Sequence, residues 1–300
     1  MSPKLAAEFV LLAALWGASF LFTRQAALEF GPVATAWLRV AVASVALLPV
    51  LLLGGHWRTL RRHGGRILFV GLINAGIPFG LFAYAVLSIS TGLAAILNAT
   101  VPLFGAVVAW LWLGERPGCW RALGLALGFT GVALLSWNKA SFQSGGTGWA
   151  VVACLAATVL YAIAASYTKK HLMGIAPVAT ATGSQIGAAL GLLTPAWLTW
   201  PAGPVSARAW LAVLAAGLVC TALAYLIFYR LIESAGPART LTVTFLIPLF
   251  AIGYGAVLLD EPVTPWMVGC GAVILAGVAL ATGFVDPARL TARHRPAALP

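Results

Sequence analysis

The sequence contains few charged side chains, and acidic ones are especially scarce. Asp, Glu, Lys and Arg together make up 8% of the 300 residues, and only 7 residues are acidic. A soluble domain carries about 25% charged residues, so this chain lacks the polar groups needed to cover a water-exposed surface. Because 61% of the residues are hydrophobic, we expect most of the surface to face lipid.

Motifs for enzyme chemistry are also missing from the sequence. It has no P-loop, no nucleophile elbow, no metal-binding pattern and no pair of acids inside an apolar stretch. The four cysteines are scattered without close pairing, which is typical of small apolar side chains in a packed interior. We therefore predict that the protein is not an enzyme and that it needs no cofactor or metal ion.

Long apolar stretches account for most of the chain. A membrane-crossing helix needs about 20 mainly apolar residues, because each residue advances about 1.5 Å through roughly 30 Å of hydrocarbon. Each stretch is continuously apolar and lacks the alternation of barrel strands, which favours helices. The predicted spans 1 to 10 lie near residues 5–27, 32–54, 66–88, 91–114, 118–137, 147–169, 176–199, 208–231, 238–259 and 264–284.

The net charge of +11 has an uneven distribution along the chain. Basic residues concentrate at alternate ends of the spans, as at 58–66, whereas the opposite ends hold only Arg24, Lys139 and Arg208. Under the positive-inside rule this bias places both termini in the cytoplasm. The basic excess is therefore mainly an orientation signal. We predict a multi-pass protein of the bacterial inner membrane with the lipid bilayer, and no nucleic acid, as its partner.

The acids and histidines all lie outside the centres of the predicted spans. A carrier driven by a proton gradient needs a group inside the membrane that titrates near neutral pH. The sequence therefore favours facilitated diffusion or exchange over proton-coupled antiport, and it argues against a pump with a buried anionic site for cationic drugs. The residues concerned are Glu8, Glu29, Glu115, Glu233, Asp260, Glu261, Asp286, His56, His63, His171 and His294.

The two halves of the sequence carry matching residues in the same order. Pro102 precedes Glu115 by thirteen residues, and Pro248 precedes Glu261 by the same interval. A comparable spacing relates charged and aromatic positions earlier in each half, which indicates an internal repeat. Further pairs are Trp16 with Tyr161, Arg24 with Lys169, Pro32 with Pro177 and Phe82 with Phe228.

Each half contains five predicted spans, so the second half must enter the membrane from the opposite side. Inverted repeats of this kind let many secondary transporters alternate access around a central site. We predict an all-α integral membrane fold of ten transmembrane helices, arranged as two inverted five-helix repeats with both termini inside. The repeats cover residues 1–142 and 143–287, and a basic cytoplasmic tail follows at 288–300.

Several of these residues together resemble the drug/metabolite transporter superfamily in its ten-span, EamA-type branch, over about residues 5–285. The similarity rests on Trp16-Gly17-Ala18-Ser19-Phe20, Pro32 with Arg39, Asn98 through Pro102 to Leu113-Gly114-Glu115, and the copies Pro248 and Leu259-Asp260-Glu261.

The resemblance implies a small-molecule carrier that exports amino acids or related metabolites. It also implies a central cavity lined chiefly by spans 1, 3, 4, 6, 8 and 9, with spans 5 and 10 packed at the periphery. The aromatic centre is most similar to bacterial amino-acid exporters, including those for aromatic or other neutral amino acids. Alternatives are a multidrug or nucleotide-sugar-type exporter and a proton-coupled metabolite antiporter.

Aromatic residues near the middle of the predicted spans are candidates for binding the substrate. Trp16, Phe79, Tyr161 and Tyr225 occupy spans 1, 3, 6 and 8, and Tyr84 lies nearer the outer mouth. Rings would stack on the apolar part of a solute, and tyrosine hydroxyls would bind its polar part. The alternative is that these side chains only pack against other helices or lipid.

Uncharged polar residues and prolines inside the spans form a second group of candidates. The amides of Asn74 and Asn98 would bind a substrate amino or carboxyl group, or else tie two helices together. A proline within a helix frees a carbonyl one turn earlier, near Asn98 and Thr244, and kinks the helix. Such kinks would act as gates or substrate contacts, or as static bends that allow packing. The prolines are Pro78, Pro102 and Pro248.

Arg39 is a cation within predicted span 2, about 10 Å below its outer edge. Its guanidinium is a candidate for attracting a substrate carboxylate. The alternatives are that it snorkels outward or pairs with Glu29. Small-residue stripes at Gly124-x-x-x-Gly128 and Gly187-x-x-x-Gly191 predict helix packing faces. The Gly124 stripe would serve either a monomer or a homodimer.

Overall fold

A computed structural model describes residues 3–137, 147–235, 240 and 242–284, which form helices and turns without any strand. The predicted tail at 288–300 and the predicted boundary between residues 142 and 143 lie outside this part. The first helical stretch, Pro3–Leu53, divides at Gly31, whose φ of 75° and ψ of 168° are not helical. We number the helical segments α1 (3–30), α2 (32–53), α3 (Trp57–Ala85), α4 (Thr91–Leu113), α5 (Cys119–Trp137), α6 (Thr147–His171), α7 (Pro177–Leu198), α8 (Ala207–Ser234), α9 (Val243–Leu259) and α10 (Pro265–Ala281).

Six helical stretches of the described chain are long and apolar enough to cross a membrane. They are the α1–α2 stretch taken together, α3, α4, α5, α6 and α8, whereas α9 and α10 are apolar but shorter. Exposed large hydrophobic side chains occur on most of these helices, as expected where lipid replaces water as the solvent. The fold is therefore all-helical and suited to a membrane.

Two helices contain a π-helical turn at corresponding places. The turn in α3 covers Leu72–Gly76, and the turn in α8 covers Leu218–Leu223. The interval between their first residues is the same as that between Pro102 and Pro248. A π turn widens the helix by one residue and often occurs at functional sites. Asn74, a candidate for substrate contact, lies within the first of these turns.

Helices α4 and α9 are interrupted at their candidate prolines. In α4, the helix Thr91–Asn98 ends and a second helix, Val101–Leu113, begins one residue before Pro102. In α9, a 3₁₀ turn at Thr242–Phe245 precedes the helix Ile247–Leu259, which contains Pro248 at its second position. A proline is tolerated there because its missing N–H would have no helical partner. Each proline therefore lies directly after a local interruption of its helix, and the roles of the two prolines as gates or substrate contacts stay predictions.

Pro78 occupies a similar position, as the second residue of the helix Ile77–Ala85 that follows the π turn of α3. Its side chain is buried. The irregular backbone before it comes from the π turn, so Pro78 begins a regular helix rather than bending one.

The predicted small-residue stripes pack helices of the same chain against each other. A Cβ on Gly277 of α10 would lie 2.4 Å from the backbone nitrogen of Gly128 on α5, and one on Gly124 would lie 2.4 Å from that of Ala281. On the other side of the molecule, a Cβ on Gly187 of α7 would lie 2.4 Å from the carbonyl oxygen of Leu68 on α3. Backbones approach this closely only where side chains are absent.

Candidate substrate site

Arg39 lies in the interior of the helix bundle, with 8% of its surface exposed. Its Nε donates a hydrogen bond to Thr221 Oγ1 on α8 at 2.9 Å, and its Nη1 donates one to Thr23 Oγ1 on α1 at 3.4 Å. The guanidinium carbon lies 3.9 Å from the ring centre of Phe79 on α3, in a cation–π contact. Side chains from three other helices therefore hold this cation in place.

Both structural alternatives for Arg39 are wrong, because the side chain neither snorkels outward nor pairs with Glu29. The Glu29 carboxylate instead accepts hydrogen bonds from the backbone nitrogen and hydroxyl of Ser206, at 2.7 and 2.6 Å. In the described chain the ion pairs are Arg24–Glu261, Lys169–Glu115 and Arg230–Glu8. Arg39 is thus a buried cation whose charge is balanced by no described acid.

Tyrosines from two further directions complete the surroundings of Arg39. Tyr161 on α6 and Tyr225 on α8 both lie close enough to interact with its charge. The Tyr161 ring stacks on Phe82 with centroids 6.3 Å apart, and the Tyr225 ring stacks on Tyr229 at 6.1 Å. Phe79 therefore covers the guanidinium directly, and Tyr161 and Tyr225 lie within range of its charge.

Gln185 on α7 is a further polar group in this region that we did not single out from the sequence. It is fully buried, and neither its amide oxygen nor its amide nitrogen has a hydrogen-bond partner in the structure. It lies beside Tyr225, although outside normal hydrogen-bonding geometry. An amide within a predicted span was the signal that could have identified it, because intramembrane polar residues are costly and often functional.

The remaining aromatic and amide candidates lie in different surroundings. Trp16 packs on Phe228 of α8 with ring centroids 5.3 Å apart. Asn74, in the π turn of α3, and Asn98, at the break in α4, are both partly buried, and neither amide bonds to a described residue. Tyr84 is 39% exposed. It stands apart from the Arg39 group.

Thr244, the remaining candidate, lies in the 3₁₀ turn that opens α9 and is partly buried. Its place before the Pro248 helix corresponds to that of Asn98 before the Pro102 helix. Both candidates therefore lie at helix interruptions, where backbone carbonyls lose their regular helical partners.

The carboxylate of Glu261 closes one end of the bundle. It accepts hydrogen bonds from Arg24 Nη1 on α1 at 2.6 Å and from the backbone nitrogen and hydroxyl of Thr91 on α4, each at 2.8 Å. Its side chain is 8% exposed. A cavity of about 350 Å³ lies at this end, and Arg24 and Glu261 contribute to its walls. Arg39 is not among the residues that line this cavity.

A second ion pair joins Lys169 on α6 to Glu115 after α4, at 2.5 Å. In the internal repeat, Lys169 corresponds to Arg24 and Glu115 corresponds to Glu261. The backbone around the two acids matches as well, because Glu115 N donates to Ala109 O and Glu261 N donates to Gly255 O. The two pairs differ in burial, since the side chains of Lys169 and Glu115 are 56% and 50% exposed. The pair at Glu261 is therefore much better shielded from solvent.

The family model of the EamA-like transporters matches this chain twice, over residues 5–137 and 148–283. The chain belongs to the EamA-like transporter family. The two matches divide the chain into two copies of one domain. Together with its long apolar helices, this makes the chain a multi-pass membrane transporter.

Curated relatives of similar length agree with this assignment. The chain is 27% identical over 271 residues to an uncharacterized transporter, YvbV, of Bacillus subtilis, covering 87% of each chain. It is 25% identical to the uncharacterized inner membrane transporter YedA of Escherichia coli, covering 96% of this chain and 94% of that protein. It is also 25% identical to a probable terminal-alkyne amino-acid exporter of Streptantibioticus cattleyicolor, covering 90% and 91%. The inner membrane is accordingly the location of this protein.

A solved crystal structure has the same fold. It superposes with a TM-score of 0.64 at 17% sequence identity and covers 97% of this chain and 99% of its own. The similarity therefore extends over the whole bundle and is not restricted to one half.

Proposed function

We propose that this EamA-family transporter exports amino acids, including aromatic or other neutral ones, or closely related small metabolites. The observation that carries this proposal is the buried Arg39, whose charge is balanced by no described acid and which lies among Phe79, Tyr161 and Tyr225. A solute carboxylate would neutralise the guanidinium, and the rings would stack on the solute side chain. The amino-acid exporter among the relatives supports the same class.

Transport would proceed by alternating access between two halves of opposite orientation, with all ten helices crossing the membrane. The doubled family domain, the paired π turns and the paired helix breaks support this arrangement. The ion pairs Arg24–Glu261 and Lys169–Glu115 would then lie at opposite faces of the membrane. Each would close one entrance to the centre, outer and inner respectively.

The alternative transport functions require charged side chains that are absent from the centre of the described bundle. A nucleotide-sugar-type exporter would need several basic side chains around a phosphate, whereas Arg39 is the one buried cation among the described residues. A pump for cationic drugs would need an anion at the centre. A proton-coupled antiporter would have to use Glu261, which is the least exposed acid in an ion pair but lies at one end of the bundle.

Counterflow in proteoliposomes tests the substrate class directly. Vesicles loaded with an unlabelled amino acid are expected to accumulate the same radiolabelled amino acid without any pH gradient, because exchange needs only a solute on each side. Protein-free vesicles serve as the control. Failure to accumulate any amino acid would remove this substrate class, and uptake that requires a pH gradient would establish proton coupling instead.

Trp16→Ala and Tyr161→Ala are each expected to lower counterflow severalfold while the protein still inserts into the membrane. The expected loss follows from removing a ring next to the proposed site, because Trp16 and Tyr161 pack against the same apolar cluster. Trp197→Ala is the matched control, because Trp197 is 80% exposed and is expected to leave counterflow unchanged. Normal counterflow in both the Trp16 and Tyr161 variants would place these rings outside the substrate site.

A further inference from the structure

We propose that Arg39 and Gln185 form a two-point binding site, in which Arg39 binds the carboxylate of the solute and Gln185 binds its neighbouring amino group. This inference rests on the proposed function and specifies which parts of an amino acid are recognised and by which side chains. It predicts that the carrier distinguishes an amino acid both from its amide and from its deaminated acid.

The hydrogen bonds of Arg39 leave part of its guanidinium available. A guanidinium has five N–H donors in a fixed plane. One is used by Thr221 and one by Thr23, and both partners are hydroxyl oxygens that carry no charge. The remaining donors include those at the end of the fork, which can bind a carboxylate through two parallel hydrogen bonds.

The neighbours of Arg39 fix the direction of this fork. The Thr221 hydroxyl, in the π turn of α8, donates to the carbonyl of Ala216 at 2.8 Å, so its oxygen is oriented to accept from Arg39 Nε. Phe79 covers one face of the guanidinium. A side chain held at its Nε and at one face is preorganised, so little conformational entropy is lost when a carboxylate binds.

Gln185 on α7 supplies a complementary polar group near Arg39. Phe79, which covers the Arg39 guanidinium, packs in one cluster with Val40 and Ala188, and Ala188 follows Gln185 by three residues on α7. The amide is fully buried, with its oxygen and nitrogen both unpartnered. A buried polar group without a partner is destabilising. A ligand ammonium donating to the amide oxygen would remove the part of that cost that comes from the oxygen. A cation for the carboxylate and an acceptor for the ammonium together match the two polar groups of an α-amino acid.

Competition experiments distinguish the two contacts. In detergent-solubilised protein, binding of radiolabelled L-phenylalanine is expected to be inhibited by unlabelled L-phenylalanine at least about tenfold better than by L-phenylalaninamide or by 3-phenylpropionate, since the first analogue leaves the Arg39 charge without a carboxylate and the second leaves the buried Gln185 amide without a partner. If another amino acid gives the larger counterflow, its own amide and deaminated acid replace these probes.

The variants connect each preference to one side chain. Arg39→Gln is expected to abolish discrimination between acid and amide, and Arg39→Lys is expected to retain part of it through the conserved charge. Gln185→Leu is expected to abolish discrimination between the amino acid and its deaminated form. This variant should keep or raise thermal stability, because it removes an unpartnered buried amide. Stability therefore separates a ligand contact from a structural role.

The outcomes separate this inference from the proposed function. Amino-acid counterflow with equal inhibition by acid and amide in wild type, or with unchanged discrimination in Arg39→Gln, would overturn the two-point site and leave the exporter intact. Unchanged amino-group discrimination in Gln185→Leu, or a marked loss of its stability, would remove Gln185 from the site. Absence of counterflow for every amino acid would overturn both proposals.

Discussion

Gly277→Val is expected to prevent α5 and α10 from packing and to leave little correctly folded protein. A Cβ at this position would lie 2.4 Å from the nitrogen and 2.5 Å from the Cα of Gly128. Those atoms belong to the backbone, so the contact cannot be relieved by rotating a side chain, and the helices must move apart. Overpacking of a rigid interior typically costs about 1–3 kcal/mol. The expected destabilisation of Gly277→Val lies at the upper end of this range, because valine adds two methyl groups beyond the Cβ.

The packing prediction has a matched control within the same helix. Gly269 is exposed, and a Cβ there would meet nothing within 4 Å, so Gly269→Val is expected to fold like the unaltered protein. Size-exclusion chromatography of detergent extracts, after heating through a series of temperatures, measures the remaining monodisperse fraction. Equal thermal stability of the two variants would show that α5 and α10 do not approach as closely as the structure indicates.

Helix positions follow from the sequence because charges, glycines and prolines mark where apolar runs stop. The predicted span near 91–114 corresponds to Thr91–Leu113, and the one near 147–169 corresponds to Thr147–His171. The sequence indicates the interruptions inside the helices less clearly. The π turn at Leu72–Gly76 contains apolar and small residues and one amide, Asn74, a composition that also occurs in regular α-helices. Such a composition therefore leaves no local pattern from which the turn could be predicted.

Only part of the candidate site could be predicted from the sequence, because its residues meet through tertiary contacts. Arg39 stood out as a charge within a span, but its partner Thr221 lies 182 residues away and resembles any other threonine in an apolar run. The repeat paired Glu115 with Glu261 and Arg24 with Lys169 as equivalent positions. It did not reveal that each acid bonds to a basic residue, because an equivalence between halves carries no information about which elements touch.

Glu261→Gln is expected to open the outer entrance and to raise the reactivity of residues behind it at least about tenfold. The carboxylate binds Arg24 and the first backbone N–H of α4, at Thr91, where the helix dipole also favours a negative charge. Hydrogen bonds to a charged group contribute about 1.5–3 kcal/mol each. Allowing for the partial exposure of Arg24, a loss of about 2 kcal/mol shifts a two-state equilibrium by more than tenfold.

Cysteine labelling measures this shift. Leu93 lines the cavity beside Glu261 and is 4% exposed, so a Leu93→Cys reporter is expected to react slowly with a membrane-impermeant maleimide in right-side-out vesicles. A Cys119→Ser background removes the one exposed native cysteine of the described chain. In that background Glu261→Gln is expected to accelerate labelling, and Glu115→Gln is expected to change it little, because an exposed ion pair contributes about 0–1 kcal/mol.

The same entrance can be tested without altering any charge. A Cβ on Gly255 would lie 2.3 Å from Glu261 Oε2 and 2.6 Å from Thr91 Oγ1, so Gly255→Ala is expected to displace the carboxylate and to accelerate labelling as Glu261→Gln does. Gly253→Ala is the matched control two residues earlier, where a Cβ meets nothing within 4 Å. Slow labelling in both Glu261→Gln and Gly255→Ala would mean that helix packing, rather than the Arg24–Glu261–Thr91 contact, keeps the outer side closed. Fast labelling in Gly253→Ala would mean that α9 responds to any substitution, so the steric argument at Gly255 would be wrong.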